Sequence, residues 1–340
     1  MKVLLIKRGA IGDILMTTPL IRQLNKNFSG IEIDFLTTNS MASCLVTNKY
    51  IHNIIKLVDT TFSIKGVFKY VKYLVSIRYK YDYVIILGKN TLMNIITKLF
   101  IGSNVIGFAR DSLSRLILDQ YVIYNNVERY QVDYYLDLLA TFNNSIVDYN
   151  DNQMELSYND KDISHVDSIL KEQQINKYVV VTNSGGNNQF ETSGIRMLNN
   201  DNIIQLLIKL LLKYPKVILL GGKIDIINYN FYINSIPAHL RTNIINMAGI
   251  FNLHQSVYFL SKAQRFYTTD CGAMHLGLIA GIDYRMTCFF GATNPWHILP
   301  KNTKVTVVWQ DDDIYDPRYQ LYGKLNNNQY FQKLNINEID

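Results

Sequence analysis

The sequence predicts an α/β protein built as two successive halves, on three observations. Short apolar runs alternate with helix-length segments, several runs end in glycine-containing loops, and the alternation lapses over residues 145–162 before it starts again. Alternation of this kind asks for a parallel sheet with crossover helices in each half.

The first run, residues 2–6, ends near Gly9 and Gly12, and Asp13 then opens a helical pattern through Ile14, Leu15, Thr18, Ile21 and Leu24. Further strands are predicted at 31–37, 54–58, 83–87 and 105–108, with helices over 64–79 and 92–101. The polar stretch SIVDYNDNQMELSYNDKD, residues 145–162, has no long apolar period and reads as the linker. A second cycle follows. Strands are predicted at 178–182, 217–220, 266–268 and 286–290, and helices at 203–212, 226–236, 253–260 and 272–280. The expected domains are residues 1–155 and 165–320, with a tail over 321–340.

Composition narrows the function classes. With 340 residues, 48% hydrophobic and 18% charged, the chain is far from the composition of disordered proteins. No run approaches the roughly 18–20 apolar residues of a membrane span, and Lys7, Arg8 and Asp13 interrupt the start before an export signal could form, so a cytoplasmic location is expected. Cys44, Cys271 and Cys288 lack both disulfide and C-x-x-C spacing, so reduced thiols and no structural metal are expected. The net charge of +6 is unevenly spread: residues 1–150 hold 17 Lys+Arg against 11 Asp+Glu, and the remainder is balanced. That points the first half at something anionic.

Three strand ends hold candidate chemistry, where open α/β sheets bind ligands. KRGAIGD places Lys7, Gly9, Gly12 and Asp13 together; its glycines suit a tight turn, and Asp13 reads either as a helix cap or as a functional carboxylate. The spacing is neither a dinucleotide fingerprint nor a P-loop. TTDCGAMH sets Asp270, Cys271, Gly272 and His275 at a strand-to-helix junction whose free N–H groups favour a diphosphate. His275 reads as a donor to phosphate or as a core histidine. The loop from Asn183 to Ile195, with Gly185, Gly186 and Gly194, leads to Arg196, a phosphate partner or an ordinary surface charge. The acidic run Asp311–Asp313 reads as a solvated loop and is assigned no metal.

Taken together, RGAIGDILMTTPLIRQL and TTDCGAMHLGLIAGI…FFGATNP resemble glycosyltransferase family 9, whose best-known members are the lipopolysaccharide heptosyltransferases. The similarity runs from Lys2 to about Pro300. It implies a GT-B architecture, two Rossmann-like domains facing each other across a cleft, the first for the acceptor and the second for the nucleotide-sugar donor. It also implies an inverting transfer, most directly of heptose from an ADP-linked donor onto a lipopolysaccharide core or related surface glycan; because a helix start and a guanidinium can neutralise the diphosphate, no essential metal is expected.

On that pattern Asp13 matches the catalytic base and Arg196 the usual lysine facing the donor diphosphate, while Asp270, Gly272 and His275 match the donor element. Asp225, after Gly221–Gly222, is a candidate ribose contact. Three residues depart from the family: Cys271 replaces a hydroxyl side chain, Lys7 an arginine and Leu198 a tryptophan. The alternatives are a non-catalytic nucleotide-sugar binder and an NAD-dependent oxidoreductase, the latter disfavoured by the missing G-x-G-x-x-G; nucleic acid is not an expected partner. In residues 64–79 the apolar set Ile64, Val67, Phe68, Val71, Leu74 and Val75 has helical spacing. It leaves Lys65, Lys69 and Lys72 on a face that reads either as solvated or as approaching an anionic lipid acceptor or the inner membrane surface.

Overall fold

The computed structural model describes residues 1–57, 64–125, 128–185, 193–309 and 330–339. Asp311–Asp313 and half of the predicted tail lie outside them. The chain divides into two compact units, Met1–Glu155 and Leu156–Asp340.

The first unit contains β1 (Lys2–Ile6), α1 (Ile11–Leu15), α2 (Thr18–Asn27), β2 (Glu32–Thr38), β3 (Asn53–Leu57), α3 (Ile64–Ser76), β4 (Tyr83–Ile86), α4 (Thr91–Ile101), β5 (Asn104–Ala109), α5 (Ser112–Ile117), β6 (Gln120–Ile123) and α6 (Gln131–Ala140). Its sheet is parallel throughout, in the order β3-β2-β1-β4-β5-β6. Right-handed crossovers send the chain leftward on one face and rightward on the other. Thus α2 packs with α6, while α3, α4 and α5 form a layer over the opposite face. That layer buries Tyr70, Leu74, Met93, Ile96 and Ile101 against Leu4, Ile6, Val84 and Ile86.

The single helix predicted after Asp13 is two. Pro19 has no N–H to offer the Leu15 carbonyl, and the Thr18 hydroxyl donates to it instead at 2.7 Å. Thr17 does the same for Ile14, and the ladder restarts as α2. The orientation expected for α3 also needs correction. Phe68 and Val75, assigned inward by periodicity, are exposed; Leu74 is buried as expected, and Tyr70, outside the expected set, is buried with it.

The second unit contains α7 (Asp160–Glu172), β7 (Val179–Thr182), α8 (Asn200–Lys213), β8 (Val217–Leu219), α9 (Ile226–Ser235), β9 (Ile244–Asn246), α10 (Leu253–Ser261), β10 (Arg265–Thr269), α11 (Gly272–Ile279), β11 (Met286–Phe289), α12 (Pro295–Ile298) and β12 (Thr306–Val308). The order β12-β11-β10-β7-β8-β9 is again all parallel. Gly277 lets α11 lie directly on this sheet, because a β-carbon there would sit 2.8 Å from the Met286 sulfur and 2.9 Å from the Phe266 ring.

The polar stretch expected as a linker is tied down along most of its length. Arg22 donates to Asp151 and Glu155, Gln23 to the Asp148 carbonyl and Asn27 to the Ile146 carbonyl, and the Glu155 N–H donates to the Thr18 hydroxyl. Its last residues enter α7, capped by Asn159. Residues 330–339, within the predicted tail, bury Tyr330, Phe331, Leu334, Ile336 and Ile339 in the second unit's core. Asn202 and Lys209 of α8 donate to carbonyls of this segment.

Candidate functional site

In each unit the polar cluster lies at the carboxyl end of two neighbouring strands from which the chain leaves in opposite directions, β1 and β4 in the first, β7 and β10 in the second. A crevice opens at such a point because the connecting loops diverge.

In the first unit, β1 runs out into Lys7, Arg8 and Gly9, and α1 brings Asp13 back over the strand end. Lys7 Nζ lies 3.2 Å from Asp13 Oδ2, and the Ala10 N–H donates to the same oxygen at 3.3 Å. Lys7 is buried, whereas 38% of the Asp13 side chain remains open to solvent. Burial in this dense surround pushes the Asp13 carboxyl up, but the charges of Lys7 and Lys89 outweigh it and hold the group below the usual carboxylate range. Gly9 and Gly12 do not act through left-handed backbone; among the described residues the glycines that adopt it are Gly30, Gly102, Gly249 and Gly281. Gly12 is instead buried in the first turn of α1.

Lys89, just past β4, belongs to this cluster and was missed by sequence reasoning. Its Nζ hydrogen bonds the Tyr124 hydroxyl, which donates to Gln131 Oε1 at 2.9 Å, and Arg110 donates to its carbonyl at 3.4 Å. Burial, helped by the nearby positive charges of Lys7 and Arg110 and opposed by Asp13, lowers the Lys89 ammonium to about 7. The available signal was a lysine closing an apolar strand and glycine, a pattern shared by many solvated turns.

In the second unit, Asp270 and Cys271 follow β10, and Gly272 begins α11. Cys271 occupies the cap position but makes no side-chain capping bond; its sulfur lies 3.6 Å from the Thr268 hydroxyl. Burial pushes this thiol up. His275 is buried one turn inside α11. Arg196 Nη1 lies 3.3 Å from Asp270 Oδ2, so the structure brings these two predicted residues together.

A second missed residue holds the backbone two residues past Arg196. Asn183, at the end of β7, accepts from the Leu198 N–H at 2.8 Å and donates to the Leu198 carbonyl at 3.0 Å, clasping the far end of the loop. Ser184 and Thr269 exchange hydrogen bonds at 3.2 and 2.9 Å, fastening the β7 end to the β10 end. Asp225 is buried and turned into its own loop, where its carboxylate accepts from the Gly222 N–H at 2.8 Å. Burial pushes its carboxyl up. A β-carbon at Gly221 would lie 2.6 Å from that carboxylate, so a side chain there would displace the aspartate.

Among the described residues no three His, Cys, Asp or Glu side chains gather as a metal site, and no helix is long and apolar enough to cross a membrane.

Comparison with known proteins agrees with this architecture. A glycosyltransferase family 9 structure from Veillonella parvula covers 96% of this chain and 90% of its own, at a TM-score of 0.73 and 17% identity. The ADP-heptose lipopolysaccharide heptosyltransferase II of E. coli covers 91% and 90%, at 0.69 and 19%. E. coli heptosyltransferase WaaC, solved with ADP, covers 91% and 93%, at 0.65 and 16%. The fold is therefore GT-B, two Rossmann-like units. Lipooligosaccharide heptosyltransferase 2 of Haemophilus influenzae is 28% identical over 74 residues, 22% of this chain and about a fifth of that protein's length. Residues 71–320 match the family described as glycosyltransferase family 9 (heptosyltransferase), and the chain belongs to it.

Proposed function

We propose that the protein is an inverting glycosyltransferase that moves a sugar, heptose from ADP-heptose in the first instance, onto an anionic, lipid-linked glycan such as a lipopolysaccharide core. Family membership and the heptosyltransferase neighbours support the reaction class and the donor. The observation that carries the mechanism is the ionised, partly open Asp13 carboxylate at the crevice of the first sheet.

Asp13 takes the proton of the acceptor hydroxyl as that oxygen bonds to the anomeric carbon. The bond from that carbon to the diphosphate breaks, and the nucleoside diphosphate leaves with the electron pair. A carboxylate flanked by two lysines is always charged but only weakly basic, so it accepts the proton late, when the attacking oxygen has become acidic. The charge on the leaving group is met by Arg196 and by the N–H groups that open α11, with His275 donating to a phosphate oxygen. Asp270 orients Arg196, Cys271 contributes backbone more than thiol, and Asp225 acts on the donor through the Gly222 loop that it braces. Lys7 holds Asp13, while Gly9 and Gly12 shape the acceptor-side loop. In this reading no resident metal is needed to offset the diphosphate.

Asp13→Asn is expected to lower turnover on ADP-heptose by about 10²–10⁴-fold. Calorimetric affinity for the donor should stay unchanged. Turnover equal to the unaltered protein's would remove Asp13 as the base.

A further inference from the structure

The outward side of α3, α4 and α5 is not an ordinary polar surface. Phe68 is 70% exposed, Leu99 64% and Leu116 82%, and Val75, Leu92 and Leu113 are exposed beside them. Large apolar side chains therefore stand outward from all three helices, which pack as neighbours in one layer. Lys65, Lys69 and Lys72 of α3 and Arg115 of α5 are exposed among them. Of the nine Lys and Arg between residues 64 and 117, Lys89 is engaged by Tyr124 and Lys98 pairs with Asp119, so the positive charge among these apolar side chains comes from Lys65, Lys69, Lys72 and Arg115, with Asp82 and Asp111 the acids of the same stretch. Both acids are engaged, Asp82 by the Lys2 N–H and Asp111 by Thr91 and the Ser114 N–H.

We infer that this three-helix face is a seat for an anionic lipid bilayer, with Phe68, Leu116 and their apolar neighbours entering the interface and the lysines pairing with headgroup phosphates. The combination selects the occupant. A solvated face does not need exposed aliphatic side chains on three adjacent helices. A second copy docked through the same face would set one basic patch against another. An anionic bilayer offers apolar depth and negative charge together, which is what an interfacial amphipathic surface requires.

The topology gives the seat an orientation. Each of these helices follows a strand, so their amino ends lie at the carboxyl edge of the sheet, the edge that carries Asp13 and Lys89. Lys65, Phe68, Lys69, Leu92 and Leu113 lie in the amino-terminal halves of their helices, and Val75, Leu99 and Leu116 towards the carboxyl ends, so the face runs the length of the layer and reaches that edge. Seating the layer flat on lipid holds the acceptor-side edge beside the surface where a lipid-linked glycan begins. The inference deepens the reading of a lipid-linked acceptor, yet its test needs neither donor nor acceptor.

Co-sedimentation of the full chain with vesicles of phosphatidylethanolamine containing about 30% phosphatidylglycerol, beside phosphatidylcholine vesicles, is the test. Binding is expected to the anionic vesicles and to fall at least tenfold both in Lys65→Gln/Lys69→Gln/Lys72→Gln and in Phe68→Ser/Leu116→Ser. In Phe68→Trp, anionic vesicles should shift the emission to the blue. Failure to bind, or binding untouched by either set, overturns the inference. Binding lost only with the charges overturns insertion. Self-association dispersed by Phe68→Ser/Leu116→Ser, without vesicle binding, overturns it in favour of a second copy. Turnover on a detergent-solubilised acceptor, measured in the same variants, is expected to be unchanged and separates loss of seating from loss of transfer.

Discussion

A lysine sunk beside other cations gives up its proton at a lower pH than one in water, and Lys89 is such a lysine, at about 7. Between that value and the ordinary lysine range the folded protein binds fewer protons than the unfolded chain, so this residue makes stability rise with pH across the window. Thermal melts should therefore rise between pH 7 and 10 in the unaltered protein and lose that contribution in Lys89→Met. Because Lys89 also lowers the Asp13 carboxyl, kcat/KM should climb as pH passes about 7 and run flat through that region in the variant. A pH–rate profile identical in both would dissociate Lys89 from the acceptor side. Asp13 was legible in the sequence because a strand, a glycine loop and a carboxylate stand within a few residues of each other. Lys89 was not, because its meaning comes from Asp13, Tyr124 and Arg110, none of which is its neighbour in the chain.

The central strands of both sheets were legible because burial on both faces leaves unbroken apolar runs such as VLLI and YVVV. The edges were not. Strand β6 has largely exposed side chains, β9 has three residues, and α7 buries only Val166 and Leu170, so none of them carries a strong period. Helix α3 misled for the opposite reason: Phe68 and Val75 fit the apolar stripe yet face outward. Loops are governed by single polar contacts that periodicity cannot register, and the Asn183 clasp is one of them. Asn183→Ala leaves the buried N–H and carbonyl of Leu198 without their partner, a cost of about 2–4 kcal/mol. It also frees the loop that places Arg196, so donor affinity should fall while the secondary structure is kept. Chemical denaturation and calorimetric titration of ADP in the variant would show both effects; an unchanged affinity would detach Arg196 from the donor.

Each unit closes its core with chain that comes late in its own sequence. The first is strapped by residues 146–155 across α2, the second by residues 330–339 against α8. The two-unit division was legible from the polar interval, but not the role of its side chains, because a carboxylate that pairs with Arg22 looks the same in a sequence as one that faces water. Removing residues 330–339 uncovers Tyr330, Phe331, Leu334, Ile336 and Ile339, each worth about 1.5–3 kcal/mol when buried, against a typical domain stability of about 5–15 kcal/mol. Calorimetry of the shortened chain should lose the second unit's transition and retain the first. One melting event lost with both units intact would contradict that division of labour. The late closing segments also set a timetable for the nascent chain. The first sheet can finish folding once about residue 155 has cleared the ribosome, whereas the second must wait, with its apolar lining uncovered, until residues 330–339 have been made.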